Sequence, residues 1–157
     1  MPNPRKSIIQ LFEENELNIS LLYNLYSKNI PEQESFWKKI SQEEIMHAKA
    51  IANAFKETNN KEEYFKENNF SRGIIKYISD FVSEKTIEAA NNTPAHIQAI
   101  EVALRVEQSM LEKKCFEIFI PTDISLQKAL KKLNADTEKH VTRLRRELER
   151  CRKKEKL

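Results

Sequence analysis

Four prolines mark the places where helices of this chain can begin. Pro4 and Pro94 each follow a residue that can cap a helix, and proline is favoured at the first helical position. The offset from Pro4 to Pro94 is 90 residues, and the offset from Pro31 to Pro121 is also 90. This repeated spacing predicts two helical hairpins of similar length.

The prolines and the apolar periodicity together predict four long helices and one connecting segment. The helices are expected at 4–29, 31–58, 94–119 and 123–152, with a crossover at 59–93. A short helix is predicted in the crossover near 74–89, with an apolar side made of Ile74, Ile75, Ile78, Phe81, Val82 and Ile87. The single glycine in 157 residues and the 32% of charged residues agree with long helices and few tight turns.

These elements predict an all-α fold in one domain over residues 1–157. The short loops inside each hairpin force antiparallel neighbours, whereas the long crossover can run the length of a bundle. We therefore expect a four-helix bundle of two antiparallel hairpins joined by one crossover that contains a short helix. A plain up-and-down bundle with an inserted loop is the alternative.

Polar side chains interrupt the apolar stripe of every predicted long helix. They are Glu16 in the first helix, Glu44 and His47 in the second, Glu107 in the third, and Thr137 and His140 in the fourth. Glu16 and Glu44 each lie 14 residues from residue 30, and Glu107 lies 14 residues before residue 121. At about 1.5 Å per residue, these interruptions meet at one level of the bundle.

Buried carboxylates at one level need a counter-charge. No Lys or Arg occupies these stripes at that level, and an unpaired buried carboxylate is costly. A divalent metal ion supplies the missing charge. Glu44 and His47, in the stretch EEIMHA, stand at i and i+3, so both side chains can reach one ion from the same face of a helix.

The stretches ENELNISLLY, EEIMHA, ALRVEQSML and NADTEKHVTRL resemble the ferritin-like superfamily and, within it, the rubrerythrin-like proteins. The resemblance extends from about residue 5 to residue 148. It implies a ferritin-like bundle with two irons that react with peroxide or dioxygen. It also implies a set of metal ligands, which are Glu16, Glu44, His47, Glu107 and His140.

Within this resemblance, Glu44 and Glu107 are the expected bridging carboxylates. Tyr23 follows Glu16 by two helical turns, and either hydrogen-bonds a ligand carboxylate, serves as a radical site or is an ordinary core tyrosine. Cys115 lies two turns beyond Glu107, where a buried apolar filler is the expected role.

The fourth helix departs from the family's pattern, because Thr137 stands where the family has a glutamate. Three glutamates leave a charge of +1 with two divalent ions and −1 with one. Asp136 lies close to His140 around the helix and is a candidate ligand that restores the balance. Three interpretations stay open: a working di-iron oxidoreductase, a site reduced to one ion such as iron, zinc or manganese, and a bundle without metal or catalysis.

The remaining expectations concern partners and location. The chain has no paired C-x-x-C motif, so it lacks a rubredoxin module, and an external electron-donor protein is expected. No apolar run is long enough to span a membrane, and Cys115 and Cys151 are expected as reduced thiols in the cytoplasm. We expect a homodimer. Separately, His96 is interpreted as a surface residue. The basic tail from Arg143 is interpreted as a solvated helix end rather than a nucleic-acid site.

Overall fold

A computed structural model describes residues 6–57, 69–112 and 124–156, and the regular structure in these ranges is entirely helical. Within these ranges five α-helices follow one another, with a short 3-10 helix at Pro31–Gln33 before the second. They are α1 (Ile8–Asn29), α2 (Glu34–Glu57), α3 (Asn69–Asn91), α4 (His96–Glu112) and α5 (Ile124–Glu155). The prediction of an all-α fold is confirmed.

Three helices begin later than the prolines predict. Helix α2 begins at Glu34, because Pro31–Gln33 form a 3-10 helix, and side-chain caps set the starts of the other two. The backbone N–H of Gln10 donates to the hydroxyl of Ser7, and the side chain of Gln10 accepts from the backbone N–H of Ser7. This capping box starts α1 at Ile8 rather than at residue 4. The backbone N–H of Ala95 donates to the side chain of Gln98, and α4 therefore begins at His96 rather than at residue 94.

Helix α3 is the largest departure from the predicted fold. The predicted short helix near 74–89 is a helix of 23 residues that packs against α1 and α4. Ile75, Ile78 and Val82 are buried as predicted, but Ile87 is 63% exposed. Ile87 lies about 140° around the helix from Val82, so it points away from the buried side.

The first two helices run antiparallel, as the short connection between them predicts. The hydroxyl of Ser41 donates to the backbone carbonyl of Ser20, and the hydroxyl of Ser20 lies 3.0 Å from that of Ser41. Closer to the connection, the ring of Tyr26 packs edge-on against Trp37 at 4.9 Å. Small serine side chains at the crossing let the two helix backbones approach closely.

Helices α4 and α5 also run antiparallel. A contact between α2 and α4 shows their relative direction. His96 at the start of α4 lies 3.1 Å from Glu147 near the end of α5, and Glu107 lies beside His140 further along. The indole N–H of Trp37, at the start of α2, donates to Nδ1 of His96. Helices α2 and α4 therefore begin at the same end of the structure.

His96 is not the surface residue that the sequence suggested. Its ring lies between Phe36 and Trp37 at centroid distances of 5.6 and 5.8 Å, and its side chain is 13% exposed. It joins α2, α4 and α5 at the end of the structure where α2 and α4 begin. Glu44 lies seven residues beyond Trp37 and Glu107 eleven residues beyond His96, so the polar level is about two to three helical turns deeper than this aromatic cluster.

Candidate metal centre

Five of the predicted ligand side chains meet in the interior of the helices. Each has between 1% and 5% of its surface exposed, and together they are Glu16, Glu44, His47, Glu107 and His140. They form two groups that could hold a metal ion, since the candidate ligand atoms of each group lie within 4.8 Å of one another. One group contains Glu16, Glu44 and His47, and the other contains Glu44, Glu107 and His140.

Glu44 belongs to both groups and presents one carboxylate oxygen to each histidine. Its Oε2 atom lies 3.2 Å from Nδ1 of His47, and its Oε1 atom lies 2.9 Å from Nδ1 of His140. Two ligand atoms that sit about 2.1 Å from one ion at right angles lie about 3.0 Å apart. The carboxylate of Glu44 therefore lies between the two imidazoles and offers one oxygen beside each of them.

Each group is completed by one carboxylate from a further helix, α1 in one group and α4 in the other. Glu16 on α1 places Oε2 at 3.9 Å from Nδ1 of His47, and Glu107 on α4 places Oε1 at 3.5 Å from Nδ1 of His140. The two imidazole rings stack with their centroids 5.4 Å apart. Glu107 falls in one of the two groups, and its role as a bridging carboxylate stays a prediction.

Two buried atoms at the centre of this cluster have no hydrogen-bond partner. They are Oε1 of Glu44 and Nδ1 of His140, which face each other at 2.9 Å without the geometry of a hydrogen bond. Buried polar atoms without a partner are rare in folded proteins and need an explanation. A cation between the two lone pairs satisfies both atoms, so the residues that are present fit a metal ion.

Each histidine also contacts a carboxylate on its outer nitrogen. Nε2 of His140 lies 2.6 Å from Oε2 of Glu43 on α2, and Nε2 of His47 lies 3.5 Å from Oδ2 of Asp136 on α5. A carboxylate on the outer nitrogen holds the proton there and leaves the Nδ1 lone pair free for a metal ion. Helices α2 and α5 therefore each orient the histidine that the other helix carries.

Asp136, the further candidate ligand on α5, lies near His47. It is not a member of either group of candidate ligands, and it lies on the outer side of His47. Its side chain is 28% exposed, whereas every member of the two groups is buried. Its carboxylate lies 3.5 Å from the outer nitrogen of His47, and its role as a metal ligand stays a prediction.

Thr137, where the sequence resemblance leads one to expect a glutamate, is buried on α5 one turn before His140. The side chain is 2% exposed, and its hydroxyl donates to the backbone carbonyl of Leu133 at 2.9 Å. A threonine hydroxyl that is satisfied by its own helix is not available as a ligand. The two groups of candidate ligands thus share a single carboxylate, that of Glu44.

Tyr23 contacts the cluster from α1. Its hydroxyl donates to Oε1 of Glu107 at 2.9 Å, and burial together with the charges of Glu107 and Glu44 raises the pKa of Tyr23. The phenol therefore stays protonated and acts as a hydrogen-bond donor to a candidate ligand carboxylate. This is one of the roles that the sequence left open for Tyr23.

The cluster carries an unbalanced set of charges when it holds no cation. Burial raises the pKa of Glu16 well above its usual value, and the charge of Glu44 raises it further. Burial alone lowers the pKa of His47, but Glu16 and Glu44 outweigh it and raise that pKa to about 10. Burial is likewise outweighed at His140, where Glu107 and Glu44 raise the pKa to about 11. Protons thus take the place of a cation.

A third group of His, Glu and Cys side chains does not have the chemistry of a metal site. It consists of His96, Glu147 and Cys151, none of which is fully buried. The indole N–H of Trp37 donates to Nδ1 of His96, so the proton of a neutral His96 lies on Nε2, the atom that faces Glu147. A metal ion needs that lone pair, and Glu147 is already paired with Arg150.

Sequence reasoning missed Glu43, which is the strongest contact on the outer side of the site. Arg143 also donates to the carboxylate of Glu43, at 3.0 and 3.2 Å. Helical periodicity places Glu43 about 100° around α2 from Glu44, on the side that faces α5. The sequence shows the adjacent pair Glu43 and Glu44, but only the packing of α5 against α2 reveals that Glu43 also faces the site.

Cys115 lies outside the residues that the structure describes.

Comparison of the chain with protein-family models, with curated proteins and with solved structures found no match. None of the helices in the described ranges has the length and apolar character that crossing a membrane requires.

Proposed function

We propose that this chain is a rubrerythrin-like, non-heme di-iron carboxylate protein of the ferritin-like superfamily. The observation that carries the proposal is the position of Glu44, which directs one oxygen at Nδ1 of His47 and the other at Nδ1 of His140. Glu16 and Glu107 add one carboxylate to each side. Each ion then has a carboxylate of its own, a histidine and a share of Glu44.

The directions of the helices support a ferritin-like bundle. Helices α1 and α2 are antiparallel, α4 and α5 are antiparallel, and α2 and α4 begin at the same end. This arrangement requires the chain between α2 and α4 to run the length of the bundle, which is the one-crossover topology. Helix α3, which packs on α1 and α4, lies in that connection and is longer than a short crossover helix.

The proposed reaction is the reduction of hydrogen peroxide or dioxygen. Two ferrous ions held by these residues would supply two electrons, with which one hydrogen peroxide would be reduced and would take up two protons to give two waters. The two electrons are replaced afterwards by an external electron-donor protein. Glu43 and Asp136 hold the two imidazoles in orientation, and the Tyr23 hydroxyl holds the carboxylate of Glu107.

Thr137 favours a second candidate function. Because its hydroxyl is bonded to Leu133, the centre has one shared carboxylate and a charge of +1 when two divalent ions are bound. With one divalent ion the charge of the centre is −1, so one ion balances the three glutamates as well as two ions do. The alternative is therefore a degenerate ferritin-like bundle that holds one metal ion, or none, without catalysis.

Anaerobic titration with ferrous ion separates these functions. The di-iron proposal predicts about two ions per chain and ferrous centres that hydrogen peroxide oxidises, whereas the alternative predicts one ion or none. Glu44→Ala is expected to abolish tight binding, because Glu44 is the one residue shared by both groups. Glu34→Ala, an exposed change on the same helix, is the matched control. Equal binding by Glu44→Ala and Glu34→Ala contradicts the proposed centre.

A further inference from the structure

A groove between α2 and α5 passes along the outer side of the two histidines. It is a cavity of about 590 Å³, and His47 and His140 form part of its lining. Sites for small molecules have volumes of about 300–1,000 Å³, so the groove has the size of a ligand site. The groove lies on the opposite side of the imidazole rings from the candidate metal ligands, because Glu43 and Asp136 line it as well.

The cations around this groove exceed the anions that are free to pair with them. Lys49 on α2 and Lys132 and Lys139 on α5 all line it, and within the described part of the chain none of the three forms an ion pair. The two carboxylates of the groove are occupied. Glu43 holds His140 and Arg143, and Asp136 faces His47.

Apart from the charged residues, the two histidines and Asn53, the lining is apolar and presents a surface for a hydrocarbon body. The residues that contribute it are Met46 and Ala50 on α2 and Ala129 and Leu133 on α5. Met46 is 67% exposed, an uncommon state for a large apolar side chain beside a cavity. Methionine is flexible and polarisable, so it packs against ligands of several shapes.

We propose that the groove binds a small organic anion, with a carboxylate or phosphate group held by Lys49, Lys132 and Lys139 and an apolar body packed on Met46 and Leu133. This site adjoins the metal centre, since His47 and His140 line the groove, but its three lysines do not belong to either group of candidate metal ligands. The ligand is a small molecule rather than a polyanion, because the lysines surround a concavity of limited size.

A fluorescent organic anion tests the proposal directly. The probe is 8-anilinonaphthalene-1-sulfonate, an anion on an aromatic body, added to the full chain as purified. Saturable binding near one probe per chain is expected, and it should weaken as salt is added because exposed charges are screened. Displacement by hexanoate indicates a carboxylate ligand, and displacement by glycerol 3-phosphate indicates a phosphate ester. Displacement by neither anion overturns the proposal.

A triple variant locates the site. Replacement of Lys49, Lys132 and Lys139 by glutamine is expected to raise the dissociation constant of the probe about tenfold, the combined effect of three exposed ionic contacts. The matched control replaces three exposed lysines outside the groove, Lys38, Lys39 and Lys76. Equal probe binding by the two triple variants overturns the proposal, and so does tight binding of a short oligonucleotide in the absence of small-anion binding.

The failure of this proposal is distinguishable from the failure of the metal centre. Glu44→Ala removes a residue that does not line the groove, so it should lose metal and keep probe binding. Amide chemical shifts give a second readout, because the probe should move the signals of Ala50 and Ala129, which lie on opposite sides of the groove. Shifts confined to another part of the chain overturn the assignment.

Discussion

The Oε1 atom of Glu44 lies 2.9 Å from Nδ1 of His140, and the two atoms do not form a hydrogen bond. In a dry interior, this contact is unfavourable if both atoms present lone pairs and favourable if a cation or a proton lies between them. The raised pKa of His140, to about 11, shows that a proton is one solution. The competition between protons and metal ions at this contact is measurable.

Metal binding at neutral pH is expected to release protons. In the metal-free protein the pKa of His47 is raised to about 10 and that of His140 to about 11, so both rings are protonated at pH 7. A metal ion requires the neutral imidazole, so two ions displace about two protons, and affinity rises as the pH rises. Calorimetric titration in two buffers with different ionisation enthalpies measures the number. Identical heats in both buffers contradict the prediction.

The same pKa values predict how the metal-free protein responds to alkali. Both histidines have a pKa above the unfolded value of about 6.5. Their protonation therefore stabilises the fold fully below about pH 6.5, and this contribution is lost as the pH rises through about 10 and 11. Thermal unfolding of metal-free protein between pH 7 and pH 11 measures the loss. The double variant His47→Gln, His140→Gln should show a smaller decline over this range.

Thr137→Glu is expected to strengthen binding of the second metal ion. The new carboxylate adds a fourth negative charge one helical turn before His140, and a tenfold gain in affinity corresponds to about 1.4 kcal/mol. Ferrous titration should show an increase of about tenfold or more in the affinity of the weaker ion. Thr137→Gln has the same length without the charge and is the control. If both variants bind ferrous ion as the wild type does, the side chain at position 137 does not reach the metal site, and the prediction is contradicted.

The orienting carboxylates are expected to act on one ion each. Glu43→Gln should weaken the ion next to His140, and Asp136→Asn should weaken the ion next to His47, each by about tenfold. Ferrous titration analysed as two binding steps measures both effects. Glu138→Gln on α5 is exposed and contacts Asn134 instead, so it serves as the control. Loss of both ions in either variant contradicts separate roles.

Tyr23→Phe is expected to destabilise the protein, because its hydroxyl donates to the buried carboxylate of Glu107. A hydrogen bond to a charged group contributes about 1.5–3 kcal/mol, so the free energy of unfolding should fall by about 2 kcal/mol. Tyr26→Phe removes a hydroxyl that forms no hydrogen bond to the described residues, and it should change stability little. Urea denaturation compares the two, and equal effects contradict the role given to Tyr23.

Periodicity predicted the inward positions of the site residues, because burial repeats every three to four residues on a helix. Glu16, Glu44 and His140 were placed inward from their spacing alone, and all three are buried. Counting along each hairpin also placed these residues at one level. This inference succeeds because the rise per residue of a helix is constant.

Spacing could not give the contacts that depend on which helices are neighbours. Glu43 and Asp136 both lie beside an inward residue, and their roles follow only from the packing of α2 against α5. The starts of α1 and α4 were missed because local side-chain caps, at Ser7 and Gln98, decide where a helix begins. The length of α3 was missed because its first residues follow a stretch without clear apolar periodicity.

The crossed contacts of Glu43 with His140 and of Asp136 with His47 also constrain how α2 and α5 slide past each other. A slip of a single residue displaces one rod by about 1.5 Å along its axis, which is enough to break both contacts in one step. Apolar side chains tolerate such a slip more easily, because their attraction has little directionality. These two contacts thus fix the registry of α2 and α5, so a mutation elsewhere that shifts one helix along the other should displace both imidazoles at once, whereas loss of one contact alone acts on one imidazole.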